Sequence, residues 1–371
     1  MKRSVPFLLA LVCCASLRAV PVFIGTDANP GNTAKGIYRA DFDPETGKLS
    51  EAVLVAEVGA PGFLAKHPSM PILYSVGAPA DGNQKPNTGS IHAFRIGSDF
   101  SLEKLAETSC GGKGPCHLAV SADGRSLAVA NYGDGTVAMI RLDESGRLGE
   151  TTALLRHQGS GPNAQRQDGP HAHGVYFSPD GKQLLVPDLG IDKVVVYPFD
   201  AESSKLGSAL PPIVTAPGAG PRHLAFSPDG SHAYVLNELN GTILVSAKDK
   251  AGWNPVQTVS TLPDGFSGAN KSAEIELSRD GRFVYASNRG PDSIAVFQRD
   301  AADGRLTRLQ LIPCGGKAPR HFTISSCGKW LLCGHHESDT IAVFRIDGES
   351  GKLDDAGATV PAPRPICILF P

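Results

Sequence analysis

One phrase occurs five times at a spacing of 47–57 residues, the chain is rich in glycine and proline, and it lacks any long amphipathic helical pattern. Together these predict an all-β fold: a seven-bladed β-propeller of four-stranded antiparallel blades, its ring closed by pairing the N- and C-terminal strands. The phrase reads HLAVSADGRSLAVANYGDGTVAMIRL over His117–Leu142 and returns from Gly174, His223, Glu274 and His321. Its Asp-Gly turn falls at 123, 180, 229 and 280, with Cys327-Gly328 in the last copy.

Each copy divides into elements for physical reasons. A short apolar run such as Leu224-Ala225-Phe226 is the first strand. Ser-Pro-Asp-Gly then forms a tight turn, with φ preset by Pro and Gly free to take φ > 0. A second apolar run (Ala233–Leu236), a polar turn and a third run ending in a charged residue follow. The more polar fourth strand lies in the linking sequence, where stretches such as Pro44–Leu49 make another hairpin turn.

A weaker copy starts at Phe63-Leu64-Ala65, turns at Pro68-Ser69 and continues in Ile72–Val76, giving six. The seventh blade needs both ends of the chain: Ile366–Phe370 as its inner strand, with Val22–Gly25 and Gly36–Phe42. Pairing the ends removes an open edge that would template aggregation. The repeat therefore reads residues 20–371 as a single ring, although 371 residues would suggest two domains by length.

Met1–Ala19 opens with Lys2 and Arg3, is uncharged over Val5–Ala15 and ends Leu17-Arg18-Ala19. This is the pattern of a secretory signal cleaved after Ala19, so the expected location is periplasmic or secreted, or cytoplasmic if the segment is not a leader. Leu11-Val12 fits a lipidation site at Cys13 or Cys14 badly, so no membrane anchor is expected. Of the other cysteines (110, 116, 314, 327, 333 and 367), none shows zinc-site spacing. Buried free thiols are expected, with a Cys110–Cys116 bridge as the alternative. A net charge of −2 argues against nucleic acid as partner, and a monomer or weak dimer is expected.

Inner strands line the axis of a propeller, so aligned positions face one another. Seven residues before the Asp-Gly turn stand Gly62, Cys116, His173, Arg222, Ala273 and Arg320, with Arg364 in the closing blade. Packing alone does not ask for three arginines and a histidine at one level. At the end of the second strand come Gly77-Ala78, Asn131-Tyr132, Asp188-Leu189, Asn237-Glu238, Asn288-Arg289 and His335-His336. The first of each pair suits a turn, and the second varies as a functional position would. His173, Arg222, Glu238 and Arg289 thus meet at one end of the axis as the candidate catalytic group. Paired guanidiniums hold a carboxylate or phosphate, or stabilise charge developing on a carbonyl oxygen. A neutral imidazole takes a proton from water. A salt-bridge network closing the channel is the bland reading of the same residues.

Two insertions serve this end: Gly159–His171 before blade four and Leu262–Lys271 before blade six. From the first come Asn163, Arg166 and His171, which join Arg320 and His223 as candidate substrate-binding residues. His171 and His173 form an H-x-H pair whose side chains would point the same way in a strand. No third ligand is marked, so neither a metal nor a cofactor is expected.

The chain resembles the lactonase family of seven-bladed propellers, of the bacterial 6-phosphogluconolactonase type and related to fungal carboxymuconate lactonizing enzymes. The phrases that carry the resemblance are GSGPN, GPHAH, PDLG, GPRHLAFSPDG, YVLNEL, QTVSTLP, AEIELS, YASNRGPDSIAVF and the C-terminal CILF. It implies a catalytic His, two Arg and a Glu, which fall on His173, Arg222, Arg289 and Glu238. It also implies hydrolysis of 6-phospho-glucono-1,5-lactone to 6-phosphogluconate, a step of carbohydrate metabolism in the pentose phosphate pathway. Three places depart from the family pattern: Gly25-Thr26-Asp27 instead of GTYT, the worn second repeat, and His335-His336 instead of an Asn-led pair. A leader fits an unphosphorylated lactone outside the cytoplasm better. The other readings are a cycloisomerase using the same group, a calcium-dependent lactonase with Asn131, Asp188, Asn237, Glu238 and Asn288 as ligands, and a non-catalytic binding protein.

Overall fold

In the computed structural model, which describes residues 19–29, 31–79 and 89–371, seven antiparallel sheets follow one another around a ring. Six sheets are formed by consecutive stretches of chain, at 64–109, 115–156, 176–214, 221–260, 271–313 and 319–361. The remaining blade pairs Pro365–Leu369 with Val20–Thr26, then adds Gly36–Phe42 and Val53–Glu57. The C-terminal strand is innermost, as expected, and the register places Phe23 opposite Leu369 and Ile24 opposite Ile368. The segment expected to be a leader, Met1–Ala19, lies outside the described residues except for Ala19. None of those residues forms a helix long and apolar enough to cross a membrane.

The second strand of each blade is apolar on both faces because another blade packs against each face. Ser126–Asn131, His232–Asn237 and Trp330–His335 are buried throughout, while outer strands such as Leu148–Arg156 are largely exposed. The core consists of seven clusters among the described residues, one at each interface between neighbouring blades. Each large aliphatic or aromatic side chain so buried contributes roughly 1.5–3 kcal/mol. A repeated bond ties blade to blade. Tyr234 Oη donates to Gly304 O at 3.0 Å and Tyr285 Oη to Gly351 O at 2.8 Å, while Trp330 Nε1 reaches Pro44 O at 2.8 Å across the closing interface.

The Asp-Gly turn closes as its chemistry requires. Ser227 Oγ donates to Asp229 Oδ1 at 2.6 Å, and Gly230 sits at φ 69°, a region that disfavours residues with a Cβ. Blade four departs from the repeat. Its inner strand is only Tyr176–Phe177, and Ala172 touches the sheet through a single bridge to Asp188. The expectation that His171 and His173 project from one strand is therefore not met. The Asp188 carboxylate accepts the His171 and Gly190 N–H groups (2.7 and 2.9 Å), and this local capping replaces the ladder.

Candidate active site

The first residue of each pair ending a second strand builds the turn. Asn131 and Asn237 donate to Thr136 Oγ1 and Thr242 Oγ1 at 3.0 and 2.9 Å, and Asn288 to Thr261 O at 2.8 Å. His335 does the same work with its ring, bonding Thr340 Oγ1 and Cys314 O. The side-chain Nδ2 groups of these three asparagines thus serve turns and linking segments of the ring. Among the described residues no group of three His, Cys, Asp or Glu side chains is placed to hold a metal.

The second residue faces the cavity in four of the six pairs; Leu189 is buried and His336 is paired with Asp27. Ala78, Tyr132, Glu238 and Arg289 line a cavity of about 500 Å³, together with Cys116 and Arg320 from the inner strands, His173 from the irregular stretch before the blade-four inner strand, and Arg166 and Lys271 from the two insertions. Glu238 is its hub. Its Oε1 lies 2.6 Å from Arg166 Nη2, and its Oε2 lies 3.0 Å from Arg289 Nη2, 3.2 Å from Arg222 Nε and 3.9 Å from His173 Nε2. The backbone of Glu238 is pinned from two sides: its N–H donates to Gly220 O, and its carbonyl accepts the Ser272 N–H and Asn270 Nδ2 of the second insertion.

Burial by itself would raise the pKa of Glu238. Arg289, Arg222 and Arg166 outweigh it and hold the carboxyl well below the usual carboxylate range. His173 is driven the other way: burial, then Arg222 and His223, lower it well below the ordinary imidazole value, so its ring is neutral at pH 7. Cys116 Sγ lies 3.9 Å from His173 Nδ1, but burial pushes its pKa up to about 12, so it is a protonated thiol and no ready nucleophile.

The sequence-derived candidates separate into three groups. His173, Arg222, Glu238 and Arg289 come together, and Arg166 and Arg320 join them. The Arg320 side chain makes no hydrogen bond or ion pair with the described residues. His223 lies beneath the cavity, hydrogen-bonded to Glu274. His171 stacks on Tyr132 (4.5 Å between centroids) and bonds Tyr132 O at 2.8 Å, so it supports the wall from behind. Asn163 is exposed; its carbonyl accepts the Arg166 and Gln167 N–H groups and shapes the turn that presents Arg166. All six described cysteines are free, and no Cys110–Cys116 bridge forms.

Arg364 shares its aligned level with Arg222 and Arg320 but is spent on ring closure. Its Nε and Nη2 reach Asp27 Oδ2 at 3.1 and 3.0 Å, and His336 Nε2 lies 3.0 Å from the same oxygen. Two of the departures from the family pattern, Asp27 and His336, are thus partners across the closing blade. Sequence reasoning did not single out Tyr132, Lys271 or Glu274. The column one residue after the aligned level (Phe63, His117, Gly174, His223, Glu274, His321) would have exposed Glu274, since a glutamate among histidines is unexpected there.

The sequence matches the family described as lactonase, 7-bladed beta-propeller, over residues 21–370. It is 35% identical over 352 residues to a 6-phosphogluconolactonase of Bacillus subtilis, covering 94% of this chain and 97% of that one. It is 35% identical over 348 residues to a 6-phosphogluconolactonase of Formosa agariphila, covering 90% and 94%. The structure superposes on that of a periplasmic gluconolactonase of Pseudomonas aeruginosa with a TM-score of 0.87 at 31% identity, covering 95% of this chain and 99% of that one. The chain belongs to the lactonase family of seven-bladed β-propellers and is a lactone hydrolase, a carboxylic ester hydrolase.

Proposed function

We propose that the enzyme hydrolyses 6-phospho-glucono-1,5-lactone to 6-phosphogluconate without a metal. Water adds to the ring carbonyl carbon while neutral His173 takes its proton. Arg222 and Arg289 face the developing oxyanion, and Glu238 keeps both guanidiniums in register. The bond from the carbonyl carbon to the ring oxygen then breaks, His173 returns the proton to that oxygen as it leaves as a hydroxyl, and the carboxylic acid so formed gives its remaining proton to solvent to become the carboxylate. A general base adds about 10²–10⁴-fold, enough for an ester that already opens slowly in water.

One observation carries this reading: one carboxylate, Glu238, is set among Arg166, Arg222, Arg289, Arg320 and Lys271. Arg320 and Lys271 have no side-chain partner among the described residues, so the cavity has cationic capacity left for a substrate phosphate. The runner-up, an exported enzyme acting on plain glucono-1,5-lactone, is favoured by the leader-like first 19 residues and by the similarity to a periplasmic gluconolactonase. Assay of both fresh lactones with wild type and Arg222→Ala, with and without a chelator, separates them. Turnover of the phosphorylated lactone, lost in the variant and indifferent to chelator, is expected. Turnover of the plain lactone alone would shift the assignment, and wild-type rates in Arg222→Ala would overturn the mechanism.

A further inference from the structure

Below the cavity the axis is plugged by Phe63, His117, His223 and His321, whose rings lie 4.0–6.0 Å apart by centroid. Buried within this plug is Glu274, a carboxyl the mechanism above does not use. Its Oε1 accepts the Ile275 N–H at 3.1 Å, and its Oε2 lies 3.4 Å from His321 Nε2. His321 Nδ1 accepts the Ile368 N–H, which places that ring's proton on Nε2, facing Glu274. Both carboxyl oxygens also lie 3.0–3.1 Å from His223 Nδ1.

The same His223 nitrogen has a second suitor. Arg222 Nη1 approaches it to 3.3 Å and also donates to Ala273 O. A guanidinium carries its N–H at any working pH, so this approach is a hydrogen bond only while Nδ1 is bare. A Glu274 carboxylate needs the opposite, a proton on Nδ1. Glu274 and Arg222 therefore compete for one nitrogen, and His223 Nε2, buried and without a partner among the described residues, offers no third anchor.

We propose that Glu274 is a positioning residue for Arg222, acting through the proton on His223. As a carboxylate it keeps that proton on Nδ1, so His223 cannot hold Arg222, whose guanidinium is left to Glu238 and the cavity. When Glu274 takes up a proton, the imidazole proton moves to Nε2, and the bare Nδ1 ties the guanidinium down to the plug. Activity then rises with pH through the ionisation of Glu274. Burial raises that ionisation above the usual carboxylate range, against His321, Arg222, the Ile275 N–H and Arg320, which favour the charged form. Glu276 on the same strand, Tyr176 of blade four and Cys367 of the closing strand complete the titratable groups around it.

This inference rests on the reading of Arg222 as an anion-stabilising residue, so Arg222→Ala is measured first: a fully active variant sinks that reading, and this one with it. With Arg222→Ala inactive, the kcat/KM profile from pH 4.5 to 8 is compared for wild type, Glu274→Gln and Glu274→Asp. The wild type should show two ionisations on its acid side, from His173 and Glu274, and Glu274→Gln only one. Glu274→Gln should also lose about tenfold to a hundredfold in kcat at pH 7.5, the cost of a displaced catalytic group. Glu274→Asp, which keeps the carboxylate, should restore the second ionisation. Two ionisations in Glu274→Gln, or a lower rate on an unchanged profile, would overturn the proposal. If Glu274→Gln does not fold, His223→Gln tests the same chain: one ionisation supports it and two overturn it.

Discussion

Two glutamates at opposite ends of one axis, Glu238 buried and Glu276 half-buried, take opposite electrostatic fates. Glu238, at the cavity end, has three guanidiniums within 3.2 Å, and they override burial and hold its pKa low. Glu276 lies beyond the plug in a smaller cavity shared with Leu224, Phe226 and Ile275. There burial and neighbouring Glu274 push its pKa up to about 7, against the Ile324 N–H, Arg279 and the Thr323 side chain. The repeat that builds both ends is the same. The difference shows that the side chains the blades bring together, rather than the depth of burial, decide whether a carboxyl is ionised.

The largest effect should come from breaking the cationic end. Arg289→Ala or Arg222→Ala should lower kcat by about 10²–10³-fold, as for loss of an oxyanion donor, in a steady-state assay with the fold checked by circular dichroism. Glu238→Gln should destabilise as well as inactivate, because it leaves buried guanidiniums uncompensated; a loss of about 3–5 kcal/mol in urea unfolding is expected. Since the folded-state pKa of Glu238 is depressed, its stabilisation is present above the unfolded carboxyl value and lost as pH falls below about 4.5.

Glu276 should behave in the reverse sense. With its folded pKa raised to about 7, its favourable term is complete below about 4.5 and is lost as pH rises through 7. Glu276→Gln should therefore be more stable than wild type at pH 8, by about 1–2 kcal/mol, and equal to it at pH 4.5. Equal stabilities at both pH values would remove the contrast between the two ends. Arg320→Ala sharpens the comparison at the cavity end: KM for the phosphorylated lactone should rise about tenfold with kcat nearly unchanged, and the plain lactone should be unaffected. Asn163→Ala, an exposed change outside the cavity, should leave kcat/KM within about twofold.

Much of this site was legible because a propeller turns repeat columns into levels of a channel. Aligning on the Asp-Gly turn was enough to bring Arg222, Glu238 and Arg289 to one mouth, since regular blades hold register. His173 joined them by another route. Its blade abandons the inner ladder at Ala172, where Asp188 caps the chain, so His173 reaches the cavity from irregular backbone held by a bond to Pro187 O. Arg364 stands at the same aligned level as Arg222 but does not join that group. The closing blade spends its aligned residue on Asp27, a partner from the far end of the chain that no column reveals.

By itself, then, the sequence determined the seven blades, the closure by both termini and the residue types around the axis, because turn chemistry and strand periodicity are local and recur five times over. Tertiary structure alone decided which polar groups meet. It put Asn163 outside the cavity, His171 behind Tyr132 and His223 in the plug, and left the Arg320 side chain without a hydrogen-bond or ion-pair partner among the described residues. It also set the charge states of Glu238, Glu274 and Glu276, because a pKa follows from distances and desolvation, and these exist only once the blades have closed into a ring.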